Sequence, residues 1–368
     1  MTPTGITLGL AGDVMTGRGV DQILPAGGDP RLWEEYADSA RIYVDLANAA
    51  SGRIPEPVDG RWPWGDALTV LDEEAPDLLV VNLETSVTTS DDHEPGKPVH
   101  YRMHPDNVTT LTAARLDACA LANNHVLDFG IRGLEETLDV LDRAGLPTTG
   151  AGRTDEQAWR PLELSAAGRR VLLWSVGAAS SGVPHHWAAG PGSPGVAFLR
   201  DLSEADATAF GERVRAAKRP GDLAVVSVHW GSNWGYAVPR TQIRFAHRLI
   251  DSGVDVVHGH SSHHPRPIEV YGDRLVLHGC GDLINDYEGI AGHERYRSDL
   301  RLLYFVDLDP ATGRLDGLRM VPLQVRQMRL HRASQRDAEW LCRVLHRTSR
   351  RLGAGVALEP DGSLRLSR

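Results

Sequence analysis

Short apolar, β-branched runs recur along the chain, with helical-period segments between them. The runs at 6–12, 77–84, 118–125, 170–177, 223–231, 254–260 and 274–282 read as strands. Their apolar residues are nearly continuous, so both faces of each strand are expected to be buried. Segments at 106–115, 131–145, 204–218 and 239–252 carry helical periodicity. Strands alternating with helices specify an α/β layered protein. Runs at 301–309 and 314–325, joined by an Ala-Thr-Gly turn, predict an antiparallel hairpin, and 334–351 predicts a terminal amphipathic helix. No Pro/Ser linker, internal repeat or low-complexity tract divides the chain. One domain is expected over 1–330, with a C-terminal helix and tail, 331–368, packed on it.

Two connections are long for a compact domain. Residues 51–66 carry Trp62-Pro63-Trp64, and residues 178–197 carry His185-His186-Trp187 in a Gly/Pro/Ser-rich stretch. Long loops tend to be functional, and tryptophan is costly to leave in water, so each is expected to form a lid or pocket wall.

Composition narrows the function classes. With 368 residues, 41% hydrophobic and 24% charged, the chain is globular, and its formal charge of −10 argues against sequence-independent nucleic-acid binding. Of its 39 basic residues only two are lysines, Lys97 and Lys218. The three cysteines, Cys119, Cys280 and Cys342, are far apart and without a CxxC pair, as expected for reduced residues in the core. The N-terminal MTPTGITLGLAGDV has no basic region and no long apolar run, and no later segment reaches the length of a membrane span. A cytoplasmic address without membrane association is therefore expected. Histidine is the unusual component, at sixteen residues.

The polar residues cluster just past the carboxyl ends of the predicted strands, the edge at which open α/β sheets bind ligands. Gly12-Asp13 follows the first strand, Asn82-Leu83-Glu84 the second, and Asn123-Asn124-His125 with Asp128 the third. Later strands end in His229, in His258-Gly259-His260 with His263 and His264, and in Gly281-Asp282 with Asp286. Each piece alone reads as a cap, a turn or a satisfied core histidine. Together on one edge, carboxylates, amides and imidazoles describe a divalent-cation site.

In this order, GD, NLE, NNH, HWG and GHSSH resemble the CapA family of capsule and poly-gamma-glutamate biosynthesis proteins, within the calcineurin-like metallophosphoesterase superfamily. The resemblance spans roughly residues 6–290. It implies a four-layer α/β/β/α sandwich with a metal site on one edge. It further implies that Asp13, Glu84, Asn124, His229, His258 and His260 are metal ligands and that His125 with Asp128 is a catalytic pair. Met15 stands where the superfamily's opening motif has histidine, the second motif is replaced by NLETS, and the last Gly-His-x-His is stretched to GHSSH. One divalent metal is therefore expected in place of two, with calcium, magnesium or manganese favoured over zinc or iron and no nucleotide cofactor.

Among soluble relatives of this family the chain is similar to the epimerases encoded with lasso peptides. That similarity implies a metal-dependent epimerase exchanging the Cα proton of a residue in a ribosomal peptide. Such chemistry needs a base and an acid on opposite faces, for which His263 with Asp282 would complement His125 with Asp128. Trp62, Trp64, Trp234 and Tyr236 would hold an aromatic side chain of the peptide, and Arg18, Arg240 or Arg266 its terminal carboxylate. The alternatives are a phosphoester hydrolase, a role in poly-gamma-glutamate or capsule synthesis, and a peptide-binding module without catalysis.

Overall fold

A computed structural model of the chain describes residues 5–367. Residues 1–4 and 368, at the ends of the expected segments 1–330 and 331–368 and including the first four of the N-terminal MTPTGITLGLAGDV, lie outside the described residues. Within the described part, the continuous apolar runs become strands buried on both faces. Leu78 and Val80 face one core cluster, whereas Leu79 and Val81 face another. The same alternation divides Val171 and Leu173 from Leu172 and Trp174.

Three cores follow from that alternation, and they separate four layers. Leu8, Leu10 and Val80 of one sheet meet Leu173, Val225 and Val256 of a second sheet in a shared core. Outside the first sheet, Val81 and Phe305 pack on Val44, Leu71 and Leu134 from the helices Arg41–Ser51, Ala67–Glu74 and Gly130–Arg143. Outside the second, Trp174 and Val226 pack on Phe210 and Phe245 from the helices Glu204–Ala217 and Arg240–Asp251. The architecture is an α/β/β/α sandwich.

Ile6–Val14 is central to the first sheet. It pairs in parallel with Leu78–Leu83, which pairs in parallel with Ala118–Ala120, and antiparallel with Leu300–Leu308 on its other side. Leu300–Leu308 and Leu315–Arg326 form the hairpin expected from the sequence. In the second sheet Arg169–Ala178, Leu223–His229, Val256–His260 and Arg274–Leu277 run parallel in that order. Both sheets therefore present carboxyl ends of parallel strands, and these carry the polar residues.

The C-terminal helix Gln335–Ser349 begins at Ser334, whose side chain accepts from the Asp337 backbone N–H. It contributes Leu341 and Leu345 to the core between the sheets. Gly355–Leu358 and Leu364–Ser367 then form a two-stranded extension of the first sheet beside Leu315–Arg326. Cys119 and Cys280 are buried and Cys342 is half-buried, and all three are free thiols. No helix among the described residues is long and apolar enough to cross a membrane.

Leu8 is 1% exposed in the core that joins the two sheets. Leu8→Ala is expected to lower the unfolding free energy by about 2–5 kcal/mol, from lost burial and the residual cavity. Urea denaturation checks this, and a loss under about 1 kcal/mol would show that the sheets are not held together by this cluster.

Candidate functional site

The first sheet delivers its acidic residues through a break in regular pairing. The register of Ile6–Val14 against Leu78–Leu83 shifts between Ala11 and Asp13, so Gly12 is a bulge. Beside it the Asp13 N–H donates to the Gly281 carbonyl at 3.1 Å. A Cβ on Gly12 would lie 1.7 Å from that oxygen, so only glycine allows the approach. Asp13 and Asp282 are thereby held opposite one another as register partners.

The Asn82 amide donates to Asp13 Oδ1 at 2.7 Å and to Glu84 Oε2 at 3.2 Å. The Ser261 N–H donates to Asp13 Oδ2 at 3.1 Å, from a residue with φ of 96°. A non-glycine residue in that region is strained, and such strain concentrates at functional sites. Asp282 faces His263 Nδ1 at 3.0 Å and accepts from Asn285 at 2.6 Å.

The second sheet supplies imidazoles. His229 and His260 are register partners on neighbouring parallel strands, and their Nδ1 atoms lie 2.8 Å apart. His229 Nε2 faces the Asn124 side-chain oxygen at 2.8 Å. His258 sits deeper: its ring nitrogens face the Ser227 hydroxyl at 3.1 Å and the Ala11 carbonyl at 2.9 Å. His258 thereby links the two sheets, whereas the nitrogens of His260 face Ser227 and His229 and its Nδ1 lies 3.8 Å from Asp13 Oδ1.

Among the described residues, two groups of side chains bring potential ligand atoms within 4.8 Å of one another: Asp13 with His229 and His260, and Asp13 with His263 and Asp282. All five residues are buried. Burial, together with the charge of Asp282, pushes the Asp13 carboxyl up to about 7. Burial raises Glu84 as well, with Asp13 adding to the effect. Burial also holds His229 and His260 well below the ordinary histidine value, in the neutral form that ligates cations. A cluster of buried carboxylates beside neutral imidazoles fits a bound cation, which would remove the repulsion that raises Asp13 and Glu84. Of the residues expected as ligands, Asp13, His229 and His260 fall in these groups, and His263 with Asp282, expected as a catalytic pair, falls there too.

His229 and His263 also line a cavity of about 220 Å³, with Glu84, Lys97, Asn124 and His125. His125 Nδ1 lies 2.6 Å from Asp128 Oδ2, so the i, i+3 pair from the NNH segment forms. Asp128 is held in turn by the Tyr101 N–H at 2.7 Å and by an ion pair with Lys97, whose Nζ is also 2.9 Å from His125 Nδ1. Burial lowers His125 to about 4 despite Asp128. Burial would raise Asp128, but His125 and Lys97 outweigh it, and its carboxyl lies below the usual range. His125 Nε2 is left 3.8 Å from Glu84 Oε1.

Sequence reasoning does not single out Lys97, Asn233 or Tyr287 as site residues. The available signal for Lys97 was its rarity, as one of two lysines in a chain that otherwise uses arginine. The 178–197 connection does reach the cavity: Gly182 lines it, and the Ser181 hydroxyl donates to the His229 carbonyl at 2.8 Å. Its Trp187 packs in the core with Lys97 above the ring, 5.4 Å from the centroid.

Trp62 and Trp64, expected at a pocket wall, lie elsewhere. The Trp64 ring is fully buried with its N–H on the Thr110 carbonyl, and the Trp62 N–H donates to the Gln327 carbonyl. The Trp64 ring finds its partner in the helical layer, and the Trp62 ring at the turn that follows Leu315–Arg326. Trp234 is 5.3 Å from the His263 ring and stacks on His293, and Tyr236 packs against His264, one ring further out. Arg18 is committed to a buried ion-pair network with Asp286 and Glu34. Arg266 is also buried, and Arg240 is exposed at the start of its helix.

A four-layer sandwich with a cation-suited edge defines the class of protein. More narrowly, the chain belongs to the family described as bacterial capsule synthesis protein PGA_cap, whose model matches residues 7–287. It is 55% identical over 365 residues to a probable polyglutamine synthesis accessory protein of Mycobacterium tuberculosis (strain H37Rv), covering 98% of this chain and 96% of that one. It is 25% identical over 313 residues to the PGA biosynthesis protein CapA of Bacillus subtilis (strain 168), covering 84% of this chain and 70% of that one. These relatives overturn the expectation of an isomerase acting on lasso-type peptides. They are named for polyglutamine synthesis and PGA biosynthesis, and neither name describes an isomerase.

Gly12→Ala is expected to separate Asp13 from Asp282 and to weaken divalent-metal binding by about 10–100-fold, the usual effect of disturbing the support of metal ligands. Isothermal titration with manganese or zinc checks this. Unchanged affinity in a folded variant would exclude the Gly12–Gly281 contact as the device that positions the carboxylates.

Proposed function

We propose that this protein serves the synthesis of a polyglutamate-type capsular polymer, as a metal-dependent component whose cavity holds a carboxylate-bearing part of the chain. The observation that carries this reading is the family match over 7–287, which contains every residue of the cation-suited edge and cavity. The names of the relatives, a polyglutamine synthesis accessory protein and a PGA biosynthesis protein, support the polymer class.

Asp13, His229, His260, His263 and Asp282 would hold the metal, and a bound divalent ion would supply positive charge for a carboxylate or amide carbonyl of the polymer. Mixed imidazole and carboxylate donors favour manganese, iron or zinc over calcium or magnesium, whose preference is for oxygen. Lys97 adds a second positive charge at the cavity wall. Its ion pair with Asp128 keeps the ammonium in place, while the third and uncommitted N–H can reach a ligand. Asn124 and Asn233 line the same cavity and offer amide donors suited to the carbonyls of a polyamide backbone.

Two variants test the reading. Asp13→Asn is expected to abolish high-affinity metal binding and, in a host lacking its own copy, to fail to restore cell-surface polymer. Lys97→Met is expected to retain the metal and to bind short glutamate oligomers roughly 10–100-fold more weakly, the effect of losing one charge-assisted hydrogen bond. Calorimetry and polymer quantification check both. Full polymer production by Asp13→Asn would refute the metal-dependent role.

A further inference from the structure

Tyr287 separates the metal-edge cavity from a second and larger one. This neighbour has a volume of about 360 Å³ and is lined by Tyr287, Glu288, Arg301, Arg297, Asp299 and Gln324, among others. That size lies within the usual range for small-molecule sites. Its charges divide into those already paired and those left over. Arg297 is bonded to Asp299 at 2.8 and 2.9 Å and to Asp337 at 2.8 Å, and Gln324 donates to Asp299 at 2.8 Å.

Glu294 and Arg326 are exposed to water at the cavity's margin, and Arg301 and Glu288 are the remainder inside it. Arg301 is fully buried, yet its hydrogen bonds run to neutral oxygens, those of Asn285, Ser298 and Leu300, and its Nε has no partner among the described residues. Glu288 accepts the Met328 N–H at 3.0 Å on one oxygen, and its other oxygen is buried without a partner. Neither residue makes an ion pair among the described residues. Asp282, Asp299 and Glu288 act on Arg301 only from beyond hydrogen-bond reach, and a buried guanidinium with neutral direct partners is expensive, as is a buried carboxylate oxygen with no donor. One cation and one anion, both incompletely satisfied in one cavity, complement a ligand that carries the opposite pair.

We infer that this second cavity binds an α-amino acid head group, with the ligand carboxylate toward Arg301 and the ligand ammonium toward Glu288. Free glutamate carries that head group. So does the amino end of a γ-linked glutamate chain, whose first residue keeps both its α-ammonium and its α-carboxylate; this second source rests on the function proposed above. Binding here would also reach the metal edge, because Arg301 holds Asn285 at 2.9 Å and Asn285 holds Asp282 at 2.6 Å.

The test is calorimetric titration of the metal-loaded full chain with L-glutamate, γ-linked triglutamate, N-acetylglutamate and glutarate. L-glutamate or the trimer is expected to bind at least tenfold more tightly than N-acetylglutamate and glutarate, which lack the ammonium. Glu288→Gln is expected to erase that preference without releasing the metal, and Arg301→Lys to weaken carboxylate binding at an unchanged preference for the ammonium. Should Arg301→Lys fail to fold, Glu288→Gln, at the rim of the core, still decides. Binding of free glutamate alone supports the site with the amino acid as source, and binding of the trimer alone supports the chain end. Equal binding of acetylated and free ligands, or a preference that survives Glu288→Gln, overturns the inference. Loss of polymer function in Asp13→Asn is read separately, so the proposed role can fail while the head-group site stands.

Discussion

The organisation of this molecule depends on negative charge that is buried at one edge and cannot be left alone. Asp13, Glu84 and Asp282 are each at most 2% exposed. Burial raises both Asp13 and Glu84, and each is raised further by a neighbouring carboxylate. Water cannot solvate such a cluster, and burial holds His229 and His260 neutral, so the positive charge an imidazole can bring comes from His263, which burial would lower but Asp282 and Asp13 push above the ordinary histidine value. Lys97 is close to His125 and Asp128 and is largely occupied by them. A divalent cation remains as the compensation that suits the donors, and the amides of Asn82 and Asn285 fix the carboxylates for it.

Placing those carboxylates required local departures from regular structure, and the surrounding cores make the departures tolerable. The bulge at Gly12, its close contact with Gly281, and Ser261 at φ 96° all fall within the same few ångströms. Each would be unfavourable in an isolated strand. They persist because Ile6–Val14 is buried on both faces, with the inter-sheet cluster on one side and the helical layer on the other. The pair His125–Asp128 is supported similarly, through Tyr101 N–H and the Lys97 ammonium.

Much of the fold was legible because doubly buried strands write an unmistakable pattern. The expected strands at 6–12, 77–84, 170–177 and 223–231 correspond to Ile6–Val14, Leu78–Leu83, Arg169–Ala178 and Leu223–His229. The helices Gly19–Ile23, Arg41–Ser51 and Ala67–Glu74 went unread, since they are short or rich in alanine and lie among turn residues. Strand-end polarity anticipated which residues come together, because backbone direction alone carries Asp13, Glu84, His229 and His260 to one edge. It could not locate Lys97, which lies in a loop whose path depends on contacts with Asp128 and Trp187. It could not separate His258 from His260 either. The two point in the same direction on one strand, and only the partners of each ring, Ala11 and Ser227 for one and Ser227 and His229 for the other, distinguish them. The tryptophans at 62 and 64 misled for a related reason: aversion to water is satisfied as well by a helical core as by a pocket.

The two sheets contribute chemically different halves of the site, acids and amides from the first and imidazoles from the second. Neither half is a ligand set by itself, since Asp13 is common to both potential groups and each group also takes residues beyond the first strand. The site therefore exists only when the sheets are packed, and the apolar cluster between them is as much a part of the site's geometry as the ligands. Linkage makes this reciprocal: an ion that binds only the packed state stabilises it by about 2.7 kcal/mol at a hundredfold excess over its dissociation constant. A core that positions ligands and a cation that secures the core are the same free energy viewed from opposite ends. The deep histidines His258 and His260 lie where the two sheets meet and are bonded across and within them. His258 joins the Ala11 carbonyl of one sheet to the Ser227 hydroxyl of the other. His260, with both ring nitrogens facing Ser227 and His229, transmits that alignment to Asp13.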